Sequence, residues 1–422
     1  MKILFLTENF PPETNAAATR VFERGLYWAK WGHQVTILTS APNFPKGKLF
    51  NGYNNCWRNV EIMDGLRVVR VKTYIAVNQG TFRRTLDFLS FMFSSFFIGL
   101  FEQRPDVIVA TSPQFFAAVG GWFLAAVRRI PFVFELGDLW PASIVAVGAF
   151  RPGQLIQLIE KIELFLYRRA DAIVALTDAF KKDLIFRGIY SGKIAVVING
   201  VDNWRYGPRD NDKALEKKYH LKNKFVLGYM GTLGMAHGLT NVLDAATLLV
   251  ENKNICFLFV GGGADLNTLV EEAKARNLPN VVFMPPQPKA VMPDVWSLCD
   301  IALVHLKSEK IFEGVIPSKI FEAMAMGLPI LIVSPKGEAS KIICQEKAGI
   351  HVPAENPIAL AGALEKLYFD EQERGALASQ SFQASFNYSR SRQAHHMIDV
   401  LNMVVEGNGK NVEQLISKYS RR

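Results

Sequence analysis

Cysteine is scarce in this sequence. Its four cysteines, Cys56, Cys256, Cys299 and Cys344, are scattered, and no two of them stand at the spacing of a zinc site or a disulfide framework. The pattern therefore argues against a small disulfide-stabilised secreted domain and against a structural zinc protein. A reducing cytoplasm is the compartment that this cysteine usage indicates.

Long hydrophobic runs are also missing. The densest apolar stretch, Leu86 to Phe101, spans about 16 residues, fewer than the roughly 20 that a membrane-crossing helix needs. Arg83 and Arg84 precede this stretch, and Asp87 interrupts its start. A helix buried in the core and a helix lying in the membrane interface both agree with this composition, so both interpretations remain open.

Signatures of nucleic-acid binding are absent, since we find no zinc knuckle, no RNA-binding aromatic motif and no lysine-rich tail. The net charge is nevertheless +9, and residues 1–204 carry 23 Lys and Arg against 16 Asp and Glu. The first residues, MKILFLTENFPPE, suit a buried strand better than an export signal. We therefore expect a cytoplasmic protein whose basic N-terminal half meets an anionic substrate or membrane rather than nucleic acid.

The chain is long enough for two domains, and 49% of its residues are hydrophobic. It begins with a strand pattern, a helical pattern from Val21 to Trp31 and a second strand pattern after Gly32. Such βαβ units predict parallel sheets that bind ligands at the carboxyl ends of their strands. A polar stretch at 203–223 separates two such regions. We predict domains at 1–203 and 204–381, followed by C-terminal helices at 382–422 that partly cross back to the first domain.

Two segments of the first domain are candidates for ligand contact. The loop expected after the first strand contains Asn15, Ala16 and Ala17, and small side chains there leave room for a bulky substrate. A later strand, FVFE, ends in Glu135, and Asp138 follows it, so two carboxylates are expected at the carboxyl edge of the sheet. Asp138 is also suited to capping the following helix.

The most informative stretch lies at 313–331 and reads EGVIPSKIFEAMAMGLPIL. A turn ends in Pro317, and Ser318 is expected to cap the helix that follows. Lys319 and Glu322 share one helix face, where a cation and backbone N–H groups attract a diphosphate and a carboxylate accepts hydrogen bonds from ribose hydroxyls. An ordinary salt-bridged helix has the same spacing, so the residues alone leave both interpretations open.

A glycine-rich loop follows the first strand of the second domain. Gly231 and Gly234 lie between the strand FVLGYM and a helical segment, so backbone N–H groups of this loop are candidates for holding phosphate. A later cluster, Gly261 to Gly263, does not complete a dinucleotide fingerprint, because position 266 is leucine.

The run PSKIFEAMAMGLPI resembles the donor-binding signature of retaining glycosyltransferases of family four. The resemblance covers nearly the whole chain and implies an α/β fold of the GT-B type, with two Rossmann-like parallel-sheet domains facing a cleft. The PSK form with one glutamate is similar to the branch of O-antigen and capsule transferases that act on N-acetyl-fucosamine and related sugars. A first glutamate found in many members corresponds to Gly314 here, and the family's histidine in the first domain corresponds to Gly137.

The resemblance implies roles for individual residues. Glu322 is expected to hold the ribose, Lys319 to stabilise the leaving diphosphate, and Asp138, with Glu135 second, to orient the acceptor or accept its proton. The other positions expected at the nucleotide-sugar are Thr232 and His237, where many members carry Arg and Lys, together with Gly231, Gly234, Met284, Gln287, Gly314, Ile316, Pro317 and Ser318.

The implied activity is transfer of a sugar, with retention, from a nucleotide-diphospho-sugar to a lipid-linked saccharide in surface polysaccharide synthesis. A UDP-sugar is favoured, no metal or other cofactor is expected, and the enzyme is expected at the cytoplasmic side of the inner membrane. Two alternatives remain open: a catalytically idle GT-B subunit that binds a nucleotide-sugar or a partner enzyme, and a sugar-nucleotide epimerase. Product analysis separates these functions.

Overall fold

The computed structural model describes residues 1–44, 47–75, 81–112, 115–142 and 153–419. The chain forms two compact units, one made of Met1–Asn199 with Arg390–Arg422 and the other of Gly200–Ser389. The boundary therefore lies a few residues before the predicted position at 203/204. The segment that belongs with the first unit begins at Arg390 rather than at 382.

Each unit contains one sheet within the described residues. The strands of the first are β1 (Lys2–Leu6), β2 (Gln34–Ser40), β3 (Arg58–Met63), β4 (Leu66–Val71), β5 (Val107–Thr111), β6 (Phe132–Leu136), β7 (Ala172–Ala175) and β8 (Ile194–Val196). Those of the second are β9 (Phe225–Met230), β10 (Ile255–Val260), β11 (Val281–Met284), β12 (Ile301–His305), β13 (Ile330–Ser334) and β14 (Gly349–Pro353).

The structure describes one α-helix between each pair of successive strands except β2–β3 and β3–β4, and four α-helices after β14. They are α1 (Ala16–Lys30), α2 (Thr81–Phe101), α3 (Phe115–Arg128), α4 (Gln154–Arg169), α5 (Asp178–Phe186), α6 (Lys213–Lys218), α7 (Thr240–Leu248), α8 (Leu266–Ala275), α9 (Met292–Trp296), α10 (Lys319–Ala325), α11 (Glu338–Gln345), α12 (Pro357–Phe369), α13 (Glu371–Ser385), α14 (Arg390–Val405) and α15 (Leu415–Tyr419). None of the described helices is both long enough and apolar enough to span a bilayer.

Strand order determines where each unit can bind a ligand. The first sheet has the order β3-β4-β2-β1-β5-β6-β7-β8 and the second β11-β10-β9-β12-β13-β14. All neighbouring strands pair in parallel except β3 and β4, which form an antiparallel pair. The chain reverses direction across the sheet between β1 and β5 and between β9 and β12, and crevices at such switch points are the usual ligand sites of parallel sheets.

The cores lie between the sheets and their helices. Strands such as β5 and β6 are buried along their whole length, which is typical of parallel strands covered on both faces. The returning helix α14 packs on α1, where Trp28 Nε1 donates a hydrogen bond to the Ala394 carbonyl at 3.0 Å and Arg390 pairs with Glu23 at 3.0 Å. The C-terminal segment therefore forms part of the core of the first unit.

The structure corrects the expected start of α1. This helix begins at Ala16, so Ala16 and Ala17 form its first turn instead of a loop. Asn15 is its N-cap residue, because its Oδ1 accepts a hydrogen bond from the Ala18 N–H at 2.8 Å. Alanine is the strongest helix former, and the cap supplies the start signal, so the helix extends one full turn before the predicted Val21.

Candidate functional site

Two glycine segments at the β9 and β10 ends form one part of the site in the second unit. Gly231 has φ +121°, and a Cβ at Gly261 would lie 1.8 Å from the Gly231 carbonyl oxygen. The segments are joined by backbone hydrogen bonds from Gly231 N to Val260 O and from Leu233 N to Gly262 O, both 2.9 Å. These bonds do not use the N–H groups of Thr232 and Gly234. No side chain fits between the segments, so the backbone alone shapes this surface.

Lys319 places its ammonium beside this loop. Nζ lies 3.5 Å from the centre of the Tyr229 ring, and a Cβ at Gly231 would be 3.4 Å from it. Nζ is buried and donates no hydrogen bond to any residue that the structure describes. Burial lowers the pKa of this ammonium from its usual 10.5 to about 7, although the Glu322 carboxylate acts in the opposite direction. A buried cation without an acceptor is suited to an anionic ligand.

Glu322 is held by two residues that the sequence did not single out. Lys289 Nζ forms an ion pair with Glu322 Oε1, and Trp296 Nε1 donates a hydrogen bond to Oε2 at 3.2 Å. The Lys289 ammonium also lies 5.2 Å from the centre of the Tyr206 ring. Lys319 and Glu322 therefore serve two adjacent positions: Lys319 lies at the glycine loop and Glu322 beside the loop that carries Lys289.

His237 and His305 hold the end of the glycine loop. His237 Nδ1 donates to the His305 carbonyl at 3.1 Å, and His305 Nδ1 donates to the His237 carbonyl. Burial, and after it the Lys319 charge, lowers the pKa of His237 to about 3. Burial also lowers the pKa of His305 to about 4. Both rings are neutral at pH 7, so His237 fixes the loop and supplies no second cation.

The start of α10 differs from the expected capped helix. Ser318 occupies the N-cap position but makes no side-chain hydrogen bond to the helix, and its own backbone is already helical, so the predicted cap is wrong. The helix has only seven residues. Gly314 is buried at the end of a short 3-10 helix at 310–314, and Ile316 and Pro317 are half-buried between the two helices.

The loop after β11 lies next to these groups. The carbonyl of Met284, which is buried, accepts a hydrogen bond from the Gly261 N–H at 3.1 Å. Gln287 Nε2 donates to the Pro285 carbonyl at 2.9 Å. A Cβ at Gly262 would lie 3.2 Å from Pro286 Cγ, so this loop is in contact with the second glycine segment. The structure thus brings the β9, β10 and β11 ends together with α10.

Glu135 of the first unit is not accessible. Its side chain is fully buried, and Oε1 lies 2.6 Å from Arg24 NH1 and 3.5 Å from Arg20 Nε. Burial would raise the pKa of this carboxyl, but the two guanidiniums lower it to about 2. A buried carboxylate that is paired with two guanidiniums does not suit a group that takes a proton from an acceptor, and this geometry argues against the catalytic role expected for Glu135.

Asp138 lies half-buried just after β6. Its backbone N–H approaches Ser112 Oγ at 3.4 Å, and the Gly137 N–H donates to the same oxygen at 2.9 Å. The residues after 142 that it was expected to cap lie outside the described part of the chain. Position 137 has no room for a side chain, because a Cβ there would lie 2.4 Å from the Ser112 carbonyl oxygen. The histidine found at this position in the resembling family does not fit this backbone.

We expect Gly137→Ala to destabilise the protein. The added methyl group must displace the Ser112 backbone or the Arg20 guanidinium 3.1 Å away, and such overpacking costs roughly 1–3 kcal/mol. Gly362→Ala is the matched control. A Cβ there meets nothing within 4 Å, and alanine favours the helix, so this change should stabilise by roughly 0.5–1 kcal/mol. Urea denaturation of both variants tests the difference in sign, and equal effects would contradict it.

A buried carboxylate that the sequence did not reveal fixes the neighbouring loops. Glu13 Oε1 accepts hydrogen bonds from the Asn43 and Phe44 N–H groups, both at 2.8 Å, and Oε2 accepts from Asn9 Nδ2 at 2.9 Å. Burial raises the pKa of Glu13, while these hydrogen bonds act against that rise. Glu13 therefore joins the loops after β1 and β2, a long-range contact for which the local sequence has no signal. Within the described residues no group of His, Cys, Asp and Glu side chains is arranged to hold a metal ion.

Comparisons with known proteins cover both units. Residues 15–200 match the Glycosyl transferase 4-like domain family, and residues 210–383 match the family Glycosyl transferases group 1. WcaI of Escherichia coli K12, a glycosyl transferase assigned to colanic acid biosynthesis, is 27% identical over 364 residues, which are 84% of this chain and 88% of WcaI. CapM of Staphylococcus aureus, a capsular polysaccharide biosynthesis glycosyltransferase, is 26% identical over 65% of this chain and 70% of CapM.

Solved structures share the backbone arrangement at lower identity. The sucrose-phosphate synthase of Thermosynechococcus elongatus is 15% identical with a TM-score of 0.77, and the match covers 96% of this chain and 99% of that protein. HepE of Anabaena, solved in complex with UDP-glucose, is 18% identical with a TM-score of 0.72, over 95% of this chain and 99% of HepE. At these identities the likeness concerns the fold.

Proposed function

The chain belongs to the group 1 glycosyltransferases with the GT-B fold, and on this basis we propose that it transfers a sugar, with retention, from a UDP-sugar to a lipid-linked saccharide. The product is a precursor of a surface polysaccharide, as the names of WcaI and CapM support. Sugars of the N-acetyl-fucosamine type are the donor class that the PSK motif favours.

The Lys319 ammonium carries this proposal. It is a buried cation with no acceptor among the described residues, at the switch point of a parallel sheet and beside a glycine loop. A diphosphate placed there gains a charge-assisted contact and the backbone N–H groups of Thr232 and Gly234, which donate to no residue that the structure describes. A structural ion pair between Lys319 and Glu322 does not explain why Lys319 is buried here, because Glu322 forms its ion pair with Lys289.

The chemistry follows from these positions. Lys319 and the loop N–H groups stabilise the negative charge that develops on the departing diphosphate. Glu322 accepts hydrogen bonds from the ribose hydroxyls. These hydroxyls either replace the Lys289 ammonium as partners of the carboxylate or bind beside it. In retaining transfer the departing phosphate takes the acceptor proton, so a dedicated base is not required, and Asp138 orients the acceptor hydroxyl. HepE has been solved with UDP-glucose in the same fold, which supports a uridine nucleotide.

Product analysis tests the proposed function. The protein is incubated with UDP-sugars and with lipid-linked saccharides extracted from a polysaccharide-producing membrane, and the lipid and nucleotide fractions are analysed by mass spectrometry. A mass increase of one sugar on the lipid, with release of UDP, supports the proposal. An altered free nucleotide-sugar would instead show an epimerase, and no turnover with retained UDP binding would show an idle subunit.

Helix α2 supports attachment to the cytoplasmic face of the inner membrane, which we include in the proposal. One side of it packs inward through Phe91 and Ser95, whereas Phe93, Phe97 and Phe101 on the other side are 55%, 53% and 85% exposed. The inward side agrees with the core interpretation of this run, and the exposed rings on the other side support the membrane contact that we propose. Of the two preceding arginines, Arg83 is exposed and the Arg84 side chain lies outside the described part of the chain.

We expect Phe93→Ser combined with Phe97→Ser to weaken binding to vesicles at least tenfold, because burying each exposed ring in the interface is worth roughly 1.5–3 kcal/mol. Ile358→Ser combined with Phe369→Ser is the matched control, since both side chains are exposed on α12 of the second unit. Co-flotation with vesicles of equal parts phosphatidylcholine and phosphatidylglycerol measures the binding. Equal loss in both double variants would contradict a specific role for α2.

A further inference from the structure

Three helices present one continuous outer surface on the first unit. Helices α2 and α3 pack together, α2 covers β2 and β4, and α3 covers β5. Helix α4 packs on α3, where the rings of Trp122 and Phe165 meet at 4.9 Å. We call the outward side of these helices the three-helix face. Its exposed apolar residues are Phe93, Phe97 and Phe101 of α2, Phe123 and Val127 of α3, and Leu158, Ile162 and Phe165 of α4.

An open groove of about 360 Å³ lies at one end of the three-helix face. Trp122 of α3 forms one wall, and the exposed guanidiniums of Arg129 and Arg169 flank it where α3 and α4 end. Arg169 follows Ile162 and Phe165 by seven and four residues, so it continues the exposed apolar stripe of α4. Its guanidinium carbon lies 5.5 Å from the Phe165 ring centre.

Other arginines near the groove have structural partners. Arg104 donates hydrogen bonds to the carbonyls of residues 128 and 129, and Arg128 donates to the carbonyls of Gly99 and Glu102. These two side chains satisfy helix ends, as basic residues at helix C termini commonly do. Arg129 and Arg169 make no such contact and no ion pair with any described residue. Their charges remain available to a ligand.

Among the described residues that line the groove, one side chain is acidic, and it is already hydrogen-bonded. Asp171 Oδ2 accepts a hydrogen bond from the Phe132 N–H at 2.8 Å, and the Asp171 N–H donates to the Phe132 carbonyl at 2.9 Å. The carboxylate is thereby held at the first residue of β6. Two guanidiniums against one such carboxylate leave the groove with an excess of positive charge.

We propose that this groove binds the headgroup phosphate of an anionic phospholipid in the bilayer on which the three-helix face rests. The two guanidiniums can donate charge-assisted hydrogen bonds to phosphate oxygens. The indole beside them suits the boundary between headgroups and acyl chains. The apolar stripes of α2, α3 and α4 next to the groove fit the acyl region, which a soluble phosphate or nucleotide does not have. The inference rests on the membrane attachment proposed for α2 and adds the lipid class and the residues that select it.

The test compares Arg129→Ala combined with Arg169→Ala against Lys217→Ala combined with Lys222→Ala. The control removes the same charge from exposed positions of the second unit. In co-flotation with vesicles of equal parts phosphatidylcholine and phosphatidylglycerol, we expect the arginine variant to bind about 30-fold more weakly, since each arginine near an anionic surface contributes about a fivefold factor. We expect the lysine variant to change by less than about twofold. Binding of both arginine variant and wild type to pure phosphatidylcholine vesicles should be equal.

The outcomes separate this inference from the proposed function. If the wild type binds neither kind of vesicle, membrane attachment itself is wrong. If the wild type binds and both double variants lose the same affinity, the groove is not a headgroup site and only overall charge matters. UDP binding by the arginine variant should equal that of the wild type in every case, and its loss would indicate misfolding and overturn the interpretation.

A second readout locates the lipid. Brominated phospholipids quench tryptophan fluorescence at short range, so vesicles that contain brominated phosphatidylglycerol should quench the Trp122 part of the emission. We expect the quenching to fall in Trp122→Phe and to be weaker than in the wild type in the arginine double variant at the same vesicle concentration. Equal quenching in the wild type and in Trp122→Phe would place the lipid elsewhere.

Discussion

Replacing Lys319 by methionine is expected to weaken donor binding strongly and yet to stabilise the ligand-free protein. The buried ammonium has no acceptor among the described residues, so its burial costs free energy that the folded chain recovers only when a diphosphate binds. Methionine fills the space beside Tyr229 without a charge, and replacing buried charges by apolar groups stabilises by roughly 1–4 kcal/mol. Loss of one charge-assisted contact and its orienting effect should weaken UDP binding at least about 100-fold.

The size of the stability gain depends on pH in a defined way. The pKa of Lys319 is about 7 in the folded protein and 10.5 when exposed, so the unfolded chain binds the proton more tightly. This destabilising contribution is fully present below about pH 7 and disappears as the pH rises towards 10.5. The gain from Lys319→Met should therefore be largest near neutrality and shrink in alkaline buffer.

Thermal unfolding at several pH values, together with UDP titration, measures both effects. Lys310→Met is the control, because Lys310 is exposed at the start of the 3-10 helix before the PSK motif. It should change neither stability nor affinity appreciably. A Lys319→Met protein that is less stable and still binds UDP would show that Lys319 has a structural role and is not the phosphate ligand.

Replacing Glu322 by glutamine is expected to reduce kcat/KM for the donor at least about 100-fold. Hydrogen bonds to a charged group contribute roughly 1.5–3 kcal/mol each, and a ribose offers two hydroxyls to one carboxylate. The substitution also leaves the Lys289 ammonium without its ion-pair partner, so part of the loss reflects a displaced Lys289. Initial rates over a range of donor concentrations give the effect.

Glu313→Gln is the matched control for this substitution. Glu313 lies nine residues before Glu322, one residue out of register with the family's first glutamate, and its side chain is exposed. We expect less than about a twofold change in kcat/KM. If Glu313→Gln reduced the rate as much as Glu322→Gln, Glu313 would replace the missing glutamate at Gly314 and the donor sugar would be bound from that side.

The sequence was most informative where local pattern and chemistry coincide. Buried strand runs and intervening helices predicted two parallel-sheet units, because strands covered on both faces are apolar throughout. The spacing of Lys319 and Glu322 predicted two polar groups beside one ligand site. Their division between the glycine loop and the Lys289 loop was not predictable, since it depends on where α10 lies relative to the loops that follow β9 and β11.

The sequence-based expectations that the structure does not support also have physical explanations. The carboxyl-edge rule placed Glu135 near the acceptor, but the strand alternates its side chains, and this one points into the layer where α1 supplies Arg20 and Arg24. The alanines after Asn15 were assigned to a loop because no apolar periodicity begins before Val21, and the N-cap role of Asn15 was not recognised. Contacts between residues distant in the chain, such as Glu322 with Trp296, have no signal in one sequence.

Calorimetric titration of UDP at about pH 8, in two buffers with different heats of ionisation, tests the central claim most directly. At that pH Lys319 is largely neutral in the free protein, and a bound diphosphate raises its pKa. The wild type should therefore take up close to one proton for each UDP bound, and Lys319→Met should take up none. Wild-type affinity for UDP in Lys319→Met, or the same proton uptake in Lys319→Met as in the wild type, would contradict a donor site built on Lys319.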